Sequence, residues 1–512
     1  MSRKNGGIIG PANTPVGGLF KGVAGGVWRM NDVANFVSNS QWPSTPQSID
    51  NSCRFNNGSS DNLSRTPSST SNRKTWTWSG WVKRSNLDVT NAMFGARIDA
   101  NDNSILRFER FADGSYIYFK MKTGGTTREL VTNRVFRDSS AWYHVVIAVD
   151  TTQSTDSDRQ KLYINGVQET SFSTEVYPPQ NTDTPINSSS AEHNIGDDVS
   201  NTGFFNGYMS EVVLVDGQQL TPSSFGETDS TTGIWKPKKI GAFSSAGTNS
   251  FYLDFKDSSN LGKDASGLNN DFTVNNLTSI DQSTDTCVEN YATLNSLNNV
   301  GTGANPTYSE GNLKVISSAD NYFGGSGNMG VTTGKWYVEV KLEAQSSGLQ
   351  GVIGFSANVA EEARQNRHAG QVGSTTFPSV IYNAYNGTYH KDNAGETSYG
   401  DTYTAGDIIG VALDLDNNFI YFSKNGTFQN SGVPTSGSTG TGGISLTATD
   451  NEFFLCLGDA GSSTTATYLI NFGSPPFSIS SGNADANGFG NFEYAVPSGY
   501  YALNTSNLNT YG

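Results

Sequence analysis

Two long stretches of this chain alternate large apolar side chains with small or polar ones, and this alternation limits its fold more than any other feature. In the first stretch, about residues 50–240, the segment 76–82 reads Trp-Thr-Trp-Ser-Gly-Trp-Val. In the second stretch, 311–503, the segment 335–340 reads Lys-Trp-Tyr-Val-Glu-Val. A period of two is that of a β-strand with one buried face. Short strands at regular spacing, separated by turn signals, predict an all-β chain of two jelly rolls or β-sandwiches in series.

The composition agrees with an all-β chain and excludes several other classes. The 512 residues include 28 Phe, 22 Tyr, 8 Trp and 57 Gly, but only 15% are charged. Disorder requires few aromatic residues, and coiled coils require many Ala, Glu, Lys and Leu, so neither is expected. The net charge of −15 disfavours nucleic acid as a partner, because binding to phosphates requires a surplus of Lys and Arg.

The cysteines and the apolar runs indicate where such a chain folds. Cys53, Cys287 and Cys456 are too few and too far apart to predict a zinc site or a disulfide framework. The chain is therefore expected either to fold in a reducing compartment or to be stable without cystines. It has no run of 18 apolar residues, and no apolar core follows Arg3 and Lys4. We therefore expect neither membrane insertion nor a signal peptide.

Residues 1–43 differ from the rest of the chain in composition and charge. They contain eight glycines, and four basic residues against one acidic residue, whereas 301–512 contain seven basic and 17 acidic residues. Such a segment cannot bury a core by itself but is too apolar for a solvated linker. We predict an arm that becomes ordered on another protein, with a disordered terminus as the alternative. The residues expected to anchor this arm are Ile8, Ile9, Leu19, Phe20, Trp28 and Arg29.

The first alternating stretch contains three sequence blocks in a recognisable order. Residues 142–146 read Trp-Tyr-His-Val-Val, 162–166 read Leu-Tyr-Ile-Asn-Gly, and 204–212 read Phe-Phe-Asn-Gly-Tyr-Met-Ser-Glu-Val. These blocks resemble the LamG-like family of concanavalin A-type jelly rolls, and 216–222 resembles the closing segment of that family. The resemblance implies a LamG-like domain over 44–240.

The second alternating stretch carries five blocks of another pattern. Residues 334–340, 351–355 and 406–416 resemble the SPRY family, and the match continues through 418–426 and 470–473. The resemblance implies a SPRY-like β-sandwich over 311–512. Residues 241–310 lie between the two domains and are rich in Ser, Asn, Asp and Gly, so we expect an irregular connector. A helical pattern at 357–369 predicts an insertion on a loop, either functional or decorative.

Candidate metal ligands and catalytic residues are few. Asp197 and Asp198 are the best local cluster of oxygen ligands for Ca²⁺, with 99–103 as a second cluster, but both sequences are equally typical of solvated turns. Hydrolases of this fold class show Glu-x-Asp-x-x-Glu, which the sequence around Glu211 does not fit. Asp414 and Asp416 share a strand face at about the spacing of a glycosidase pair, but they precede a predicted turn. We therefore predict a non-enzymatic protein without a cofactor, with Ca²⁺ as the alternative.

A cluster of aromatic and amide side chains in the second domain is the candidate site for a sugar. Rings flanked by hydrogen-bonding groups suit sugar recognition, and the loops at one end of SPRY-like sandwiches commonly bind partners. The alternative is that these rings form the core of strands. The candidate glycan-binding residues are Tyr382, Tyr385, Asn386, Tyr389, Tyr399 and Tyr403.

The order of arm, LamG-like domain, connector and SPRY-like domain resembles tail fibres and other virion surface proteins of bacteriophages, marine ones especially. Further likenesses lie in 26–33 with Trp42-Pro43, in 54–65 and in 497–503. The resemblance implies assembly in the host cytoplasm into the virion, attachment through the arm to tail or capsid proteins, a homo-oligomer such as a trimer, and binding of host surface glycan. One alternative is a decoration protein of capsid or tail that binds nothing outside the particle. A second is a polysaccharide depolymerase.

Overall fold

Strands account for nearly all regular structure in the computed structural model, which describes residues 49–112, 114–198, 202–230, 232–238, 240, 246–298, 306–317, 323–346, 351–357, 378–392, 394–447, 450–459 and 464–512. The predicted all-β class is therefore confirmed. The arm residues Ile8, Ile9, Leu19, Phe20, Trp28 and Arg29 lie outside the described residues, as does the predicted helical insertion apart from Ala357. No helix among the described residues is long and apolar enough to cross a membrane.

The first sandwich consists of two antiparallel sheets that face each other. Its strands are β1 (Ser52–Phe55), β2 (Asn62–Arg65), β3 (Thr75–Arg84), β4 (Asn91–Arg97), β5 (Asn103–Phe111), β6 (Gly114–Thr123), β7 (Thr126–Val135), β8 (Tyr143–Asp150), β9 (Gln160–Ile164), β10 (Val167–Gln168), β11 (Phe172–Glu175), β12 (Glu192–Ile195), β13 (Gly207–Asp216), β14 (Gly226–Thr228), β15 (Trp235–Pro237), β16 (Phe251–Leu253), β17 (Thr273–Asn275) and β18 (Gln282–Ser283). Sheet 1 has the order β10-β9-β8-β3-β13-β1-β18, with β16 also paired to β13. Sheet 2 has the order β11-β7-β6-β5-β4-β12-β2-β17, and β14 and β15 form a separate ribbon.

The alternation of the sequence explains the core between sheets 1 and 2. Trp76 and Trp78 alternate with small polar residues on β3 and are fully buried. Trp76 packs edge-on against Phe119 of β6, with ring centroids 6.1 Å apart, and Trp78 stacks on Phe94 of β4 at 6.0 Å. Burial of rings of this size contributes most of the favourable free energy of folding in such a core.

The segment between the two domains is more regular than the sequence analysis expected. Residues 241–310 were predicted to form an irregular connector, but three short strands within it extend the first sandwich. β16 pairs with β13 in sheet 1, β18 pairs with β1 in the same sheet, and β17 pairs with β2 in sheet 2. The apolar run at 251–255 indicates a possible strand, and β16 buries Phe251 and Leu253 in the core. The other two strands, β17 and β18, are two or three residues long and mostly polar, so their sequences carry little signal.

The second sandwich is built in the same way from two further sheets. Its elements are β19 (Thr307–Ser309), β20 (Lys314–Ile316), β21 (Phe323–Ser326), β22 (Lys335–Gln345), β23 (Gly351–Ser356), β24 (Ser379–Asn383), β25 (Thr388–Lys391), β26 (Thr397–Ser398), β27 (Ile408–Asp414), β28 (Phe419–Lys424), β29 (Thr427–Phe428), β30 (Ile444–Ser445), β31 (Phe454–Asp459), β32 (Ala466–Asn471), β33 (Tyr501–Ala502) and the helix α1 (Thr505–Tyr511). Sheet 3 has the order β19-β20-β32-β22-β27-β28-β29, and sheet 4 has the order β21-β31-β23-β24-β25-β26. Short 3₁₀ segments lie at Asp156–Asp158, Pro222–Ser224, Ser279–Asp281, Glu310–Asn312, Gln429–Ser431 and Pro434–Thr439.

The two sandwiches belong to one compact unit, Asn51–Gly512, and buried polar contacts join them. Arg54 of β1 is fully buried, and its guanidinium donates to the carbonyl oxygen of Pro475 at 3.2 Å and lies 3.3 Å from a carboxylate oxygen of Glu310. The hydroxyl of Tyr208 donates to the carbonyl oxygen of Gly311 at 3.0 Å. Since a buried polar group is costly without a partner, these contacts hold the sandwiches in one arrangement.

Candidate functional site: a groove on sheet 2

An open groove of about 620 Å³ lies on the outward face of sheet 2, across strands β5, β6, β7 and β11. We call it the sheet groove. Its volume falls within the range of small-ligand sites. It is lined by Arg107, Glu109, Phe111, Tyr116, Tyr118, Glu129, Val131, Asn133, Ser173 and Thr174.

The pairing of the strands explains how these residues come together. On β6, Ile117 and Phe119 are buried in the core, so Tyr116 and Tyr118 point to the opposite face. Tyr118 is in register with Arg107 of β5 and with Val131 of β7. Residues opposite each other in an antiparallel pair lie on the same face and contact each other. Three strands therefore place a tyrosine, an arginine and their neighbours side by side.

Arg107 is the central charged group of the sheet groove. Its guanidinium carbon lies 5.0 Å from the centroid of the Tyr118 ring, a distance at which a cation is attracted to an aromatic face. The same guanidinium forms ion pairs with Glu109 and, at 3.5 Å, with Asp198 from the loop after β12. The arginine is thus held in a fixed orientation against the ring.

The second carboxylate of the groove, Glu129, is engaged on the other side of the same ring. The Tyr118 hydroxyl donates to Glu129 Oε2 at 2.6 Å. Burial, followed by the neighbouring Glu129 carboxylate, raises the pKa of Tyr118 well above its usual value, so this hydroxyl stays protonated and remains a donor. At the end of the groove, the rings of Phe111 and Tyr116 pack edge-on with centroids 5.7 Å apart.

This arrangement has the chemistry of a sugar-binding surface. The C–H faces of a pyranose ring are apolar and pack against aromatic rings, while its hydroxyls exchange hydrogen bonds with carboxylate, amide and hydroxyl groups. The sheet groove supplies both kinds of group, with Tyr116 and Tyr118 beside Glu109, Glu129 and Asn133. Four neighbouring strands span roughly 14 Å at the usual strand spacing, so the groove accommodates an extended chain rather than a single small ion.

The six candidate glycan-binding residues of the second domain separate into core and surface. Tyr382, Tyr399 and Tyr403 are at most 7% exposed, and Tyr382 packs against both other rings at 5.6 and 5.3 Å between centroids. The expectation that these three rings face a sugar is therefore corrected: they stabilise the core between sheets 3 and 4. Tyr389 is half-buried and packs edge-on against Tyr399 at 6.0 Å.

Two of the six residues do lie on the surface. Tyr385 is 63% exposed, and Asn386 is exposed beside it. The Asn386 amide donates to Glu396 at 2.6 Å, and Glu396 also lies 3.3 Å from the imidazole of His390. This turn offers one ring and a small polar network.

The candidate Ca²⁺ ligands Asp197 and Asp198 are both buried and bonded to protein groups. Asp197 accepts hydrogen bonds from the Asn194 amide at 3.1 Å and from the backbone N–H of Asp198 at 2.7 Å. Burial, and next the charge of Asp198, raises the pKa of Asp197 to about 6. No group of three or more His, Cys, Asp or Glu side chains in the described part of the chain is arranged to hold a metal ion.

The carboxylates considered for hydrolysis are not among the residues that line the sheet groove. Asp414 is fully buried, where it accepts from the Lys335 ammonium at 2.8 Å and from the backbone of Asn417 at 2.9 Å. Asp416 accepts from the backbone N–H of Gly334 at 2.9 Å. Glu211 is buried at a bulge of β13. The two aspartates therefore act as turn and strand-end acceptors, as the predicted turn indicated.

None of the residues that line the sheet groove is among the predicted site residues. Tyr116 and Tyr118 alternate with Ile117 and Phe119, a pattern that puts both tyrosines on one face of a strand. The signal for a site was missing because Arg107 and Glu129 come from strands whose register the sequence does not give.

Family models match two segments of the chain. Residues 57–224 match the model described as the concanavalin A-like lectin/glucanases superfamily, Laminin_G_3, and 335–446 match the SPRY domain. The chain thus consists largely of two β-sandwich domains of binding type, a LamG-like domain of concanavalin A-like fold and a SPRY domain, although the concanavalin A-like superfamily includes glucanases. No curated protein matches the chain.

Solved structures resemble parts of the chain. The SPRY domain of human HERC1 is 20% identical and covers 31% of this chain and 87% of its own, with a TM-score of 0.24. Domain 4 of AbnA, an extracellular arabinanase from Geobacillus stearothermophilus in complex with arabinotriose, is 20% identical over 31% of this chain and 66% of its own, with a TM-score of 0.23. A heptameric SAP-like pentraxin from Limulus polyphemus is 16% identical and covers 40% of this chain and 94% of its own, with a TM-score of 0.27. At these TM-scores the likenesses are local, and the family models carry the assignment of the two domains.

Proposed function

We propose that this protein is a non-enzymatic adhesin of a bacteriophage virion, attached to the particle by residues 1–43, and that it binds host surface glycan. The observation that carries the binding role is the sheet groove, where the ring of Tyr118 lies between the guanidinium of Arg107 and the carboxylate of Glu129. Both domains are of binding type, which supports this role. The exposed turn at Tyr385 and Asn386 is a second contact surface for the same partner or another one.

The non-enzymatic part of the proposal is supported by the state of the two groove carboxylates. Glu109 is ion-paired with Arg107, and Glu129 accepts from Tyr118. The general acid of a glycosidase pair must donate a proton to the glycosidic oxygen. A carboxylate that is paired with a cation or accepts from a hydroxyl is better suited to accept hydrogen bonds from the hydroxyls of a ligand.

The attachment part of the proposal is supported by the contrast of charge along the chain. The arm is basic and the second half is acidic, so the two ends suit different partners. We propose that the arm binds other virion proteins of the tail or capsid. The protein itself assembles in the host cytoplasm as a homo-oligomer such as a trimer. Deletion of residues 1–43 should leave a folded, glycan-binding protein that no longer joins the particle. Normal incorporation of the truncated protein would refute this attachment.

The glycan-binding role is tested by substitution of the platform ring. The full chain should bind a subset of an array of host polysaccharides, and Tyr118→Ala should weaken that binding at least about tenfold, because the ring is lost and both Arg107 and Glu129 lose their contact. Tyr177→Ala, at a half-buried tyrosine outside the groove that bonds only to Glu175 among the described hydrogen bonds, is the matched control and should bind as the wild type does. Tyr385→Ala measures the contribution of the second domain. Failure of the wild-type protein to bind any glycan would exclude the adhesin role and favour a decoration protein.

A further inference from the structure

The charged groups of the sheet groove are paired with groups of opposite charge. Arg107 is the one cationic side chain among the described residues that line it, and both Glu109 and Asp198 pair with it. One positive charge therefore faces two negative charges before a ligand arrives. Glu129 adds a third carboxylate to the same face and Lys120, in register with it, adds a second cation, so two positive charges face three negative ones.

Two arginines at the border of the groove are paired as well. Arg110, next to the lining residues of β5, lies 3.5 Å from Asp88. Arg134, next to Asn133 on β7, lies 3.1 Å from Glu169. Each of these arginines thus has a carboxylate partner within ion-pair distance.

From this pairing, and presupposing the glycan-binding role proposed above, we infer that the sheet groove selects uncharged sugars and excludes sugars that carry carboxylate or sulfate groups. An acidic sugar must either displace Glu109 or Asp198 from the guanidinium of Arg107 or lie on a face where carboxylates outnumber cations. Either outcome places like charges close together in a partly buried site, where their repulsion is weakly screened. A neutral sugar avoids this cost because its hydroxyls donate to the carboxylates and its ring packs on Tyr118.

The contrast between neutral and acidic ligands is the direct measurement. The dissociation constants of the full chain are compared for neutral oligosaccharides and for the same backbones carrying uronic acid or sulfate. At about 0.01 M ionic strength, where the Debye length is about 30 Å, acidic ligands should bind at least about tenfold more weakly. At about 1 M ionic strength, where the Debye length is about 3 Å, the difference in affinity between neutral and acidic ligands should shrink.

A single substitution tests whether charge pairing at Arg107 causes this selectivity. Glu109→Gln keeps the shape of the side chain and leaves Arg107 with Asp198 alone, so the affinity for acidic glycans should rise at least about threefold relative to neutral ones. Glu192→Gln removes the same charge from an exposed position on β12 of the same sheet and should leave the ratio unchanged.

The outcomes separate the inference from the function on which it rests. Neutral ligands bound in preference to acidic ones, together with the shift in Glu109→Gln, support both. Acidic ligands bound equally well or more tightly overturn the selectivity and leave the adhesin role standing. Absence of binding to glycans of either kind overturns the adhesin role and the selectivity with it. If Glu109→Gln leaves the ratio of affinities for acidic and neutral glycans unchanged, the ion pairing at Arg107 is not the cause of the selectivity.

Discussion

At the scale of a single residue, Glu211 shows how burial changes the chemistry of a carboxyl group. It lies at the point where the register between β13 and β3 shifts, and its φ of 52° is unusual for a residue with a side chain. The hydroxyl of Tyr252 donates to its Oε2 at 2.7 Å. Burial raises the pKa of Glu211 to about 7, although the hydrogen bond from Tyr252 acts in the opposite direction. At neutral pH this carboxyl is therefore partly protonated.

The raised pKa of Glu211 predicts a pH-dependent effect of Glu211→Gln. In the unfolded chain the group ionises near its ordinary pKa of about 4.3, whereas in the folded protein it ionises near 7. Stability is therefore lost as pH rises from about 4 to about 7 and stays constant above that. Glu211→Gln removes this loss, so the variant should match the wild type at pH 4 and exceed it by up to about 3 kcal/mol at pH 8.

Urea denaturation at the two pH values gives the difference in free energy of unfolding between variant and wild type. The contributions of all other titrating groups cancel in this difference. Glu192→Gln, at an exposed position, should change stability little at either pH. A Glu211→Gln effect of the same size at pH 4 and pH 8 would contradict the raised pKa.

At the scale of elements, the turn between β9 and β10 shows how a sequence signal and a tertiary contact combine. Asn165 and Gly166 have φ of 49° and 82°, as the two central residues of a type I′ hairpin require. The ribbon of β14 and β15 places Trp235 over this turn. A Cβ atom on Gly166 would lie 2.4 Å from a carbon of the Trp235 ring, so glycine is needed for close approach as well as for conformation.

Two glycine substitutions separate these requirements. Gly124→Ala, in the turn between β6 and β7, meets no atom within 4 Å, so it should cost only the strain of a positive φ, about 1 kcal/mol. Gly166→Ala should cost that strain plus the displacement of Trp235, about 2–4 kcal/mol in total. The free energies of unfolding of the two variants, from urea denaturation, check this prediction. Equal costs at both positions would show that the ribbon yields freely.

The turn at Asn165-Gly166 also illustrates what was predictable from the sequence. Strands and hairpins were predictable because their signals are local: a period of two and residues that tolerate positive φ. The sheet groove was not predictable, since it depends on the pairing of β5 and β7 with β6, which is a long-range property. For Tyr382, Tyr399 and Tyr403 the alternative of strand core, and not sugar binding, is the correct one, and the sequence could not decide it for a related reason. β24 is buried along its whole length, so alternation does not reveal that Tyr382 points into the core.

At the scale of the whole molecule, the two sandwiches are joined by buried charges and not by a loose connector. The ammonium of Lys83 on β3 lies 2.6 Å from a carboxylate oxygen of Asp285, which follows β18 of the same sandwich, and this buried pair fixes the start of the segment that leads to the second sandwich. Arg54 contributes a second buried contact that reaches Pro475 and Glu310 in the other sandwich. Charges taken out of water are tolerated only with partners, so separation of the sandwiches would expose or orphan them. The LamG-like and SPRY domains are thus expected to unfold together.

Substitution of Arg54 tests this coupling. In Arg54→Ala the carboxylates of Asp281 and Glu310 lose their cation, and the carbonyl oxygens of Ile280 and Pro475 lose a donor. Removal of one partner from such a buried group typically costs about 3–5 kcal/mol. The matched control is Arg110→Ala, which breaks an ion pair of exposed side chains with Asp88 and should cost less than about 1 kcal/mol.

Calorimetry distinguishes a general loss of stability from a loss of coupling. The wild-type protein should unfold in one transition, and Arg54→Ala should unfold at a lower temperature in two, because each sandwich keeps its own core after the junction is broken. Two transitions in the wild type, or equal costs for Arg54→Ala and Arg110→Ala, would contradict the coupling. If the protein is the adhesin proposed above, force applied to one domain is transmitted to the other through these buried contacts. Glycan binding at the sheet groove should therefore survive in Arg54→Ala, while the resistance of the chain to mechanical extension falls.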